Sequence, residues 1–450
     1  MREPRVLTMI LAGGRGKRLY PLTANRSKPS VPFGGNFRIV DFTIMNCVLS
    51  GLRSIHLLTQ YHSVSLDRHR NERWNFLSPE LGEFIEIHPP KMRTTTGYYN
   101  GTADAIYRNL DLLESHRADL VLVLSGDHIY RADYRRFIES HVKRDADVTV
   151  LTGRVGVEQA NAFGVIRLGE NGRIEHFIEK PADPLPYATD GSCQINLGVY
   201  CFQAEFLVHQ LVSDSKKNTA HDFGKNILPD CLDAGAMHSC PLETVCPDDR
   251  PYWRDVGTID SYFQSNMDLL GSPPAFDLRD TRWPRESRFH KWLPTRFPSS
   301  CRTVEAPAGN LVSSGCDVAA ACLEKSVLSP GVVIGEDCEV RESIVFSGVT
   351  LGRGVKLRRV IVEEGVYIPD GVEISRETGG ADFTTSPGGV VVVSAGYRFD
   401  EPTSRVPPKR DASRETTSRE TTEQPLLRAA PSDRRRLPSN RAPVEFKPPS

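Results

Sequence analysis

Val6-Leu7-Thr8-Met9-Ile10-Leu11 runs straight into Ala12-Gly13-Gly14-Arg15-Gly16-Lys17-Arg18, and this junction decides the fold. A short, largely apolar run that ends in glycines reads as a buried parallel strand feeding a loop. Glycine lets backbone N–H groups come close to phosphate oxygens, and Arg15, Lys17 and Arg18 add charge that offsets a triphosphate. The loop is not a P-loop, because Gly-Lys is followed by Arg and the first glycine is missing. It is not a dinucleotide fingerprint either, since no third glycine follows Gly14-Arg15-Gly16 at the required spacing. By itself a glycine run after a strand is also ordinary turn chemistry.

Working outward, similar apolar runs recur at residues 54–59, 120–124 and 148–152. Helical spacing marks residues 39–49, 103–114 and 133–142. Strands alternating with helices predict a Rossmann-like α/β domain with a doubly wound, mainly parallel sheet, and ligands at the carboxyl ends of its strands. Runs at 164–168, 173–179 and 196–202 predict a mixed extension of that sheet. The pattern fades near Leu270, so the first domain is set at residues 1–271 and a Pro- and aromatic-rich connecting segment at 272–307.

A different period then takes over. Leu328, Ile334, Val340 and Phe346 recur every six residues, and Leu351, Leu357, Ile368 and Ile374 continue the pattern after small slips. Glycines at 331, 335, 352, 354, 365 and 371 lie between them. This predicts a hexapeptide-like, left-handed parallel β-helix over 308–396 rather than a set of short antiparallel strands. From 397 to 450 apolar content falls, SRETT at 413–417 is copied at 418–422, and Arg434-Arg435-Arg436 follows. Such a composition predicts disorder.

The formal net charge is −1, which gives no reason to expect nucleic acid or a membrane surface as partner. No apolar run is long enough to span a bilayer, and the N-terminus shows no signal-peptide pattern. The ten cysteines form no C-x-x-C pair. These features predict a cytoplasmic protein with reduced thiols.

A longer string is more specific than the loop. It reads Leu11-Ala12-Gly13-Gly14, then Arg18-Leu19-Tyr20-Pro21-Leu22-Thr23, then Lys28-Pro29, then Pro32-Phe33-Gly34-Gly35. RIVDFTIMN at 38–46, TQY at 59–61, GTADA at 101–105 and SGDHIY at 125–130 continue it. AFGV at 162–165, EKP at 179–181, HDFG at 221–224 and YWRDVGT at 252–258 complete it. From Val6 to about Phe399 the chain resembles the sugar-nucleotide pyrophosphorylases, and among them the glucose-1-phosphate adenylyltransferases.

The resemblance implies ATP and glucose 1-phosphate as substrates, Mg²⁺ as cofactor, and ADP-glucose and diphosphate as products. It implies Asp127 and Asp255 as metal ligands, and Arg18, Lys28 and Asp127 as catalytic residues. On the nucleotide side it implies Leu11, Ala12, Gly13, Gly14, Arg15, Gly16, Gln60, Gly101, Thr102, Ala103 and Asp104. On the sugar side it implies Tyr99, Gly164, Glu179, Lys180 and Asn196. Physically, Asp127 follows an apolar strand beside the phosphate loop, where a carboxylate can hold Mg²⁺. Glu179 can accept from sugar hydroxyls, and Lys180 can pair with the sugar phosphate. A lone loop Asp is commonly a turn residue and an exposed Glu–Lys pair is commonly just solvated, so these roles rest on the resemblance.

Two positions depart from the family. Asn196 replaces a serine, which leaves open a pyrophosphorylase for another pair such as GTP and mannose 1-phosphate. Asn25 replaces a lysine linked to activator binding, whereas Arg26 is retained. A small-molecule effector and a homotetramer assembled through the β-helix are the implied partners. A non-catalytic regulatory subunit is a further alternative, disfavoured because the loop cations and carboxylates are all present. His62, His69 and His88 have no metal or acid–base spacing and are expected to pack or to lie on the surface.

Overall fold

In a computed structural model of the chain, residues 2–90, 97–248, 250–278, 293–297, 309–378 and 382–399 are described. The first domain contains β1 (Val6–Leu11), α1 (Ile39–Leu49), β2 (Ser54–Leu58), β3 (Phe84–His88), α2 (Thr102–Tyr107), α3 (Asp111–His116) and β4 (Leu120–Ser125). It continues with β5 (His128–Tyr130), α4 (Tyr134–Lys143), β6 (Val148–Gly156), β7 (Gly164–Leu168), β8 (Ile174–Glu179), β9 (Ser192–Gln203), α5 (Ala204–Ser215), β10 (Met237–Pro241), β11 (Trp253–Asp255) and α6 (Ile259–Met267). One sheet runs β8-β7-β9-β4-β1-β2-β3, with β6 on β9 and β10 on β6. β3, β2, β1 and β4 are parallel, and β9 joins β4 antiparallel.

The continuous apolar runs have a plain cause. In β4, Leu120, Leu122 and Leu124 face one core while Val121 and Val123 face the other. Both faces of the sheet are covered by helices, so neither can be polar. The single helix expected over 103–114 is instead two. The break falls where the Asn109 amide donates to Ala105 O at 2.8 Å and to the Tyr99 hydroxyl at 3.1 Å, a side-chain competition with the helix ladder. The strand expected at 196–202 is longer, Ser192–Gln203, with an irregular register between Asn196 and Tyr200.

The second domain is a three-sided parallel β-helix. Leu328 stacks on Val345, Ile334 on Leu351 and then Ile368, and Val340 on Leu357 and then Ile374. The repeat from Val327 to Ile344 to Ile361 is one residue short of three hexapeptides. That slip moves Phe346 out of the stack, where the six-residue spacing had placed it. It lies instead in the first domain's core, with Val327, Ile344, Ile361, Val390 and Val392. One wall of the β-helix is therefore apolar on both faces and docks on the catalytic domain. In the connecting segment, Phe276 joins the same core. Residues 279–292 and 298–307 of that segment lie outside the described residues, as do the SRETT repeat and the arginine run of the tail. Tyr397 and Phe399, counted with the tail by composition, pack on Phe383 at 4.9 and 6.1 Å. Among the described residues no helix is long and apolar enough to cross a membrane.

Candidate active site

The carboxyl ends of β1, β2 and β4 lie side by side because these strands are parallel and in register. The loops that leave them are locked together. Ala12 N–H donates to Leu58 O at 2.8 Å, and Gly126 N–H donates to Leu11 O at 3.0 Å. Gly16 has φ +64, and a Cβ there would fall 2.9 Å from both Lys28 Cβ and Thr23 Cγ2. Only glycine suits that turn. It lets the chain fold back so that Lys28 N–H donates to Gly14 O at 3.3 Å. Gly14, Arg15, Lys17 and Arg18 stay exposed around it, ready for an anion. The Arg15 guanidinium lies 5.8 Å from the Tyr61 ring, which stacks on exposed Tyr98 at 5.3 Å.

Lys28 itself is buried. Its Nζ lies 2.9 Å from Asp127 Oδ2 and 2.7 Å from Asp255 Oδ1. The short ribbon of β5 and β11 sets this meeting, pairing His128 with Asp255. Burial opposes the charge on Asp127, but the Lys28 ammonium, then His128 and the Ser125 hydroxyl, hold its carboxyl below the usual carboxylate range. Burial likewise opposes charge on Lys28, and Asp127 and Asp255 override it, so the ammonium titrates above its ordinary value. His128 Nε2 lies 3.6 Å from Asp127 Oδ1 and 4.0 Å from Asp255 Oδ1. A Cβ on Gly257 would touch both the Arg18 guanidinium, at 3.0 Å, and the Asp255 carboxylate. Arg18, Lys28 and the two carboxylates thus form one cluster.

A second cluster builds around Glu179. A Cβ on Gly164 would lie 2.9 Å from Glu179 Oε2, and one on Gly224 2.6 Å from it. Lys180 is exposed, at φ +51, with Nζ 3.1 Å from Glu179 Oε1. Thr102, at the start of α2, ties the 101–104 segment to this side. Its hydroxyl donates to Asp222 Oδ2 at 3.0 Å and accepts from Phe223 N–H at 2.9 Å. Ala103 N–H donates to His221 O at 2.8 Å. Asp104 accepts from Asn100 N–H and pairs with Arg108, each at 2.8 Å. Gln60 Nε2 donates to Tyr99 O at 3.3 Å, linking the two clusters.

Two residues expected on the sugar side are already committed elsewhere. Tyr99 is buried in the second core with its hydroxyl on Asn109. Asn196 closes the β9 irregularity, donating to the Tyr200 hydroxyl and accepting from Gly198 N–H, each at 2.8 Å. Gly198, at φ +71, brings this bend against Ser125 and His128, within 3.3 Å of an added Cβ. Ser125 and His128 were missed as site residues although both sit in the SGDHIY string. Their signal was adjacency to Asp127. Of the histidines, His69 donates to buried Asp41 at 2.7 Å, where Trp74 also binds at 2.8 Å. Burial opposes charge on Asp41, but His69 and Arg73 bring its carboxyl down to about 2. Next to the loop, Asn25 is exposed, whereas Arg26 is buried and pairs with Glu363 at 3.5 Å and Glu364 at 3.1 Å on the β-helix.

Comparison with known proteins agrees with this geometry. The family described as Nucleotidyl transferase matches residues 7–272, and the GlmU-like C-terminal hexapeptide family matches residues 294–393. The chain is 42% identical over 340 residues to "Glucose-1-phosphate adenylyltransferase 2" of Alkalilimnicola ehrlichii, covering 75% of this chain and 80% of that protein. It is 42% identical over 346 residues to "Glucose-1-phosphate adenylyltransferase" of Paraburkholderia phytofirmans, covering 75% and 82%. It is 40% identical over 347 residues to the protein of that name from Rhodopirellula baltica, covering 75% and 78%.

Proposed function

Because this chain belongs to the glucose-1-phosphate adenylyltransferase family of nucleotidyl transferases, we propose that it converts ATP and α-D-glucose 1-phosphate to ADP-glucose and diphosphate. The observation that carries the reading is the buried Lys28 ammonium clasped by Asp127 and Asp255 beneath the glycine loop. A phosphate oxygen of the sugar phosphate attacks the α-phosphorus of ATP, a new P–O bond forms, and the bond to the leaving diphosphate breaks. The nucleophile is already ionised near neutral pH, so positioning and charge neutralisation supply the rate.

The turn from Leu11 to Gly16 offers backbone N–H groups to the triphosphate, and Arg15 adds charge there. Arg18 and Lys28 spread positive charge over the transferring group. Asp127 Oδ2 and Asp255 Oδ1 both lie within 3 Å of one nitrogen, so they converge as hard oxygen donors of the kind Mg²⁺ takes. Asp127 and Asp255 would hold Mg²⁺ there, and it would supply charge against the phosphate oxygens. Glu179 accepts from sugar hydroxyls, Lys180 pairs with the sugar phosphate, and Gly164 leaves room for the ring. Gln60 and the 101–104 loop bound the nucleotide side. Asn196 shapes the bend beside His128, and Tyr99 supports Gln60 from the core.

The product supplies glucosyl units for glycogen or a related α-glucan in the cytoplasm. The enzyme acts as a homotetramer through its β-helix and answers a small-molecule effector. The test is direct. Purified protein with Mg²⁺, ATP and glucose 1-phosphate should release diphosphate, and GTP with mannose 1-phosphate should be a poor pair. No turnover with any nucleotide and sugar phosphate refutes the reading.

A further inference from the structure

His88 does not join His62 or His69. It joins His56, on the neighbouring parallel strand. β2 and β3 pair His56 with Glu86 and Leu58 with His88, so the alternation of side chains puts His56, Glu86 and His88 on one face of the sheet edge. His56 Nδ1 lies 2.8 Å from His88 Nε2, and Glu86 Oε2 lies 3.8 Å from the first and 3.6 Å from the second. A point equidistant from these three atoms is about 2.0 Å from each, the length of a zinc bond to imidazole or carboxylate. We propose that His56, Glu86 and His88 form a binding site for a borderline-soft divalent cation such as Zn²⁺, separate from the carboxylate pair of the active site.

Three features of the surroundings support it. His56 is buried, with its Nδ1 turned toward His88 and Glu86. His116, from the last turn of α3, packs edge-on against His56 at 4.9 Å and closes the site on that side. Glu86 and His88 are its open side, with side chains 59% and 13% exposed, leaving room for water as a fourth ligand. Two imidazoles and a carboxylate are a donor set that suits zinc better than magnesium. The ion would clamp the edge strand next to the nucleotide loop, because Thr59 N–H donates to His88 O at 3.0 Å and Gln60 follows.

The experiment uses the full chain, stripped with a chelator and held in excess Mg²⁺ so that hard oxygen sites are filled. Calorimetric titration with Zn²⁺ should give one ion per chain, and Co²⁺ should give the intense visible absorption of a four-coordinate site. Glu86→Gln and His88→Ala should each weaken uptake at least about tenfold, since even outer-shell partners of metal ligands are worth that much. Asp127→Asn should leave uptake unchanged. If His88→Ala does not fold, Glu86→Gln at the exposed ligand decides alone. Absence of stoichiometric uptake overturns the proposal and leaves a plain imidazole–imidazole hydrogen bond, and so does uptake indifferent to both variants.

Discussion

Replacing Lys28 by methionine keeps an unbranched side chain, one heavy atom shorter, and removes the ammonium with its hydrogen-bond donors. The structure predicts two separable effects. The first is on rate. A preorganised charge that meets the developing transition-state charge is worth on the order of 10²–10³ in kcat, about 3–4 kcal/mol. Lys28 is the buried cation of the cluster, with Nζ held within 3 Å of two carboxylates, so it has no conformational freedom to give up before reaction. The second effect is on the carboxylates. Breaking a fully buried ion pair costs about 3–5 kcal/mol. Asp127 and Asp255 are a quarter and nearly a quarter exposed, at 25% and 23%, so solvent screening reduces the stability loss to roughly 1–2 kcal/mol. Without the ammonium, Asp127 loses what holds its carboxyl below the usual range. A depressed folded-state value contributes stability that is present above about pH 4 and is lost as the pH falls. Lys28→Met should therefore lose stability relative to wild type near neutral pH, and the difference should shrink in acid. The assays are diphosphate release at saturating substrates and denaturant melts at pH 7 and pH 3. A kcat within about threefold of wild type would refute the placement of Lys28 at the reacting group. A stability difference that stays constant with pH would refute its control of Asp127.

Two further substitutions test the joint between the domains. Phe346→Ala should destabilise the protein by about 3–5 kcal/mol, because this ring is fully buried in the catalytic core and not in the β-helix stack; the denaturant midpoint reads it, and a surface-like loss under 1 kcal/mol would argue against the docking. Arg26→Ala removes the cation beside Glu363, whose carboxyl burial already pushes above its ordinary value. A raised acid favours the folded state as pH falls, so the variant should lose more stability at pH 8 than at pH 5, and an equal loss at both would contradict the pairing.

Much of the first domain was legible because burial on both faces leaves a strong mark. Val6–Leu11 and Gly164–Leu168 are strands at the expected bounds, and Ile39–Leu49 is a helix at them. What failed were features set by a single side chain. The helix break at Asn109 depends on one amide reaching a carbonyl one turn back, and helical periodicity carries no trace of it. The β-helix was visible from its six-residue repeat, yet its seventeen-residue coil put Val345 in the stack and Phe346 outside it. Period alone could not separate the two, since both are apolar and adjacent. The carboxylate cluster was assembled by resemblance, because nothing in the chain between SGDH and WRD announces that β5 and β11 pair. Tyr99 and Asn196 were placed on the sugar side by resemblance, and nothing in the sequence signals the hydrogen bonds they also make to Asn109, Tyr200 and Gly198.

The segment from Arg26 to Lys28 shows why local reading stops short. The two cations are separated by one residue, and both read as loop charges beside a glycine turn. In the fold they point to different domains. Arg26 is buried against Glu363 and Glu364 of the β-helix, and Lys28 against Asp127 and Asp255 of the sheet. Each is held by two carboxylates, of which Glu363 is buried and Asp127 and Asp255 are partly so, and turning either cation away leaves them unpaired. A three-residue stretch is thus pinned at both ends, with Lys28 N–H also tied to Gly14 O of the phosphate loop. The position of the Lys28 ammonium therefore depends on how one wall of the β-helix packs, through a core that Phe346 shares with Phe33 and Tyr262. That dependence is a property of the tertiary contacts, and no window of sequence around residues 26–28 contains it.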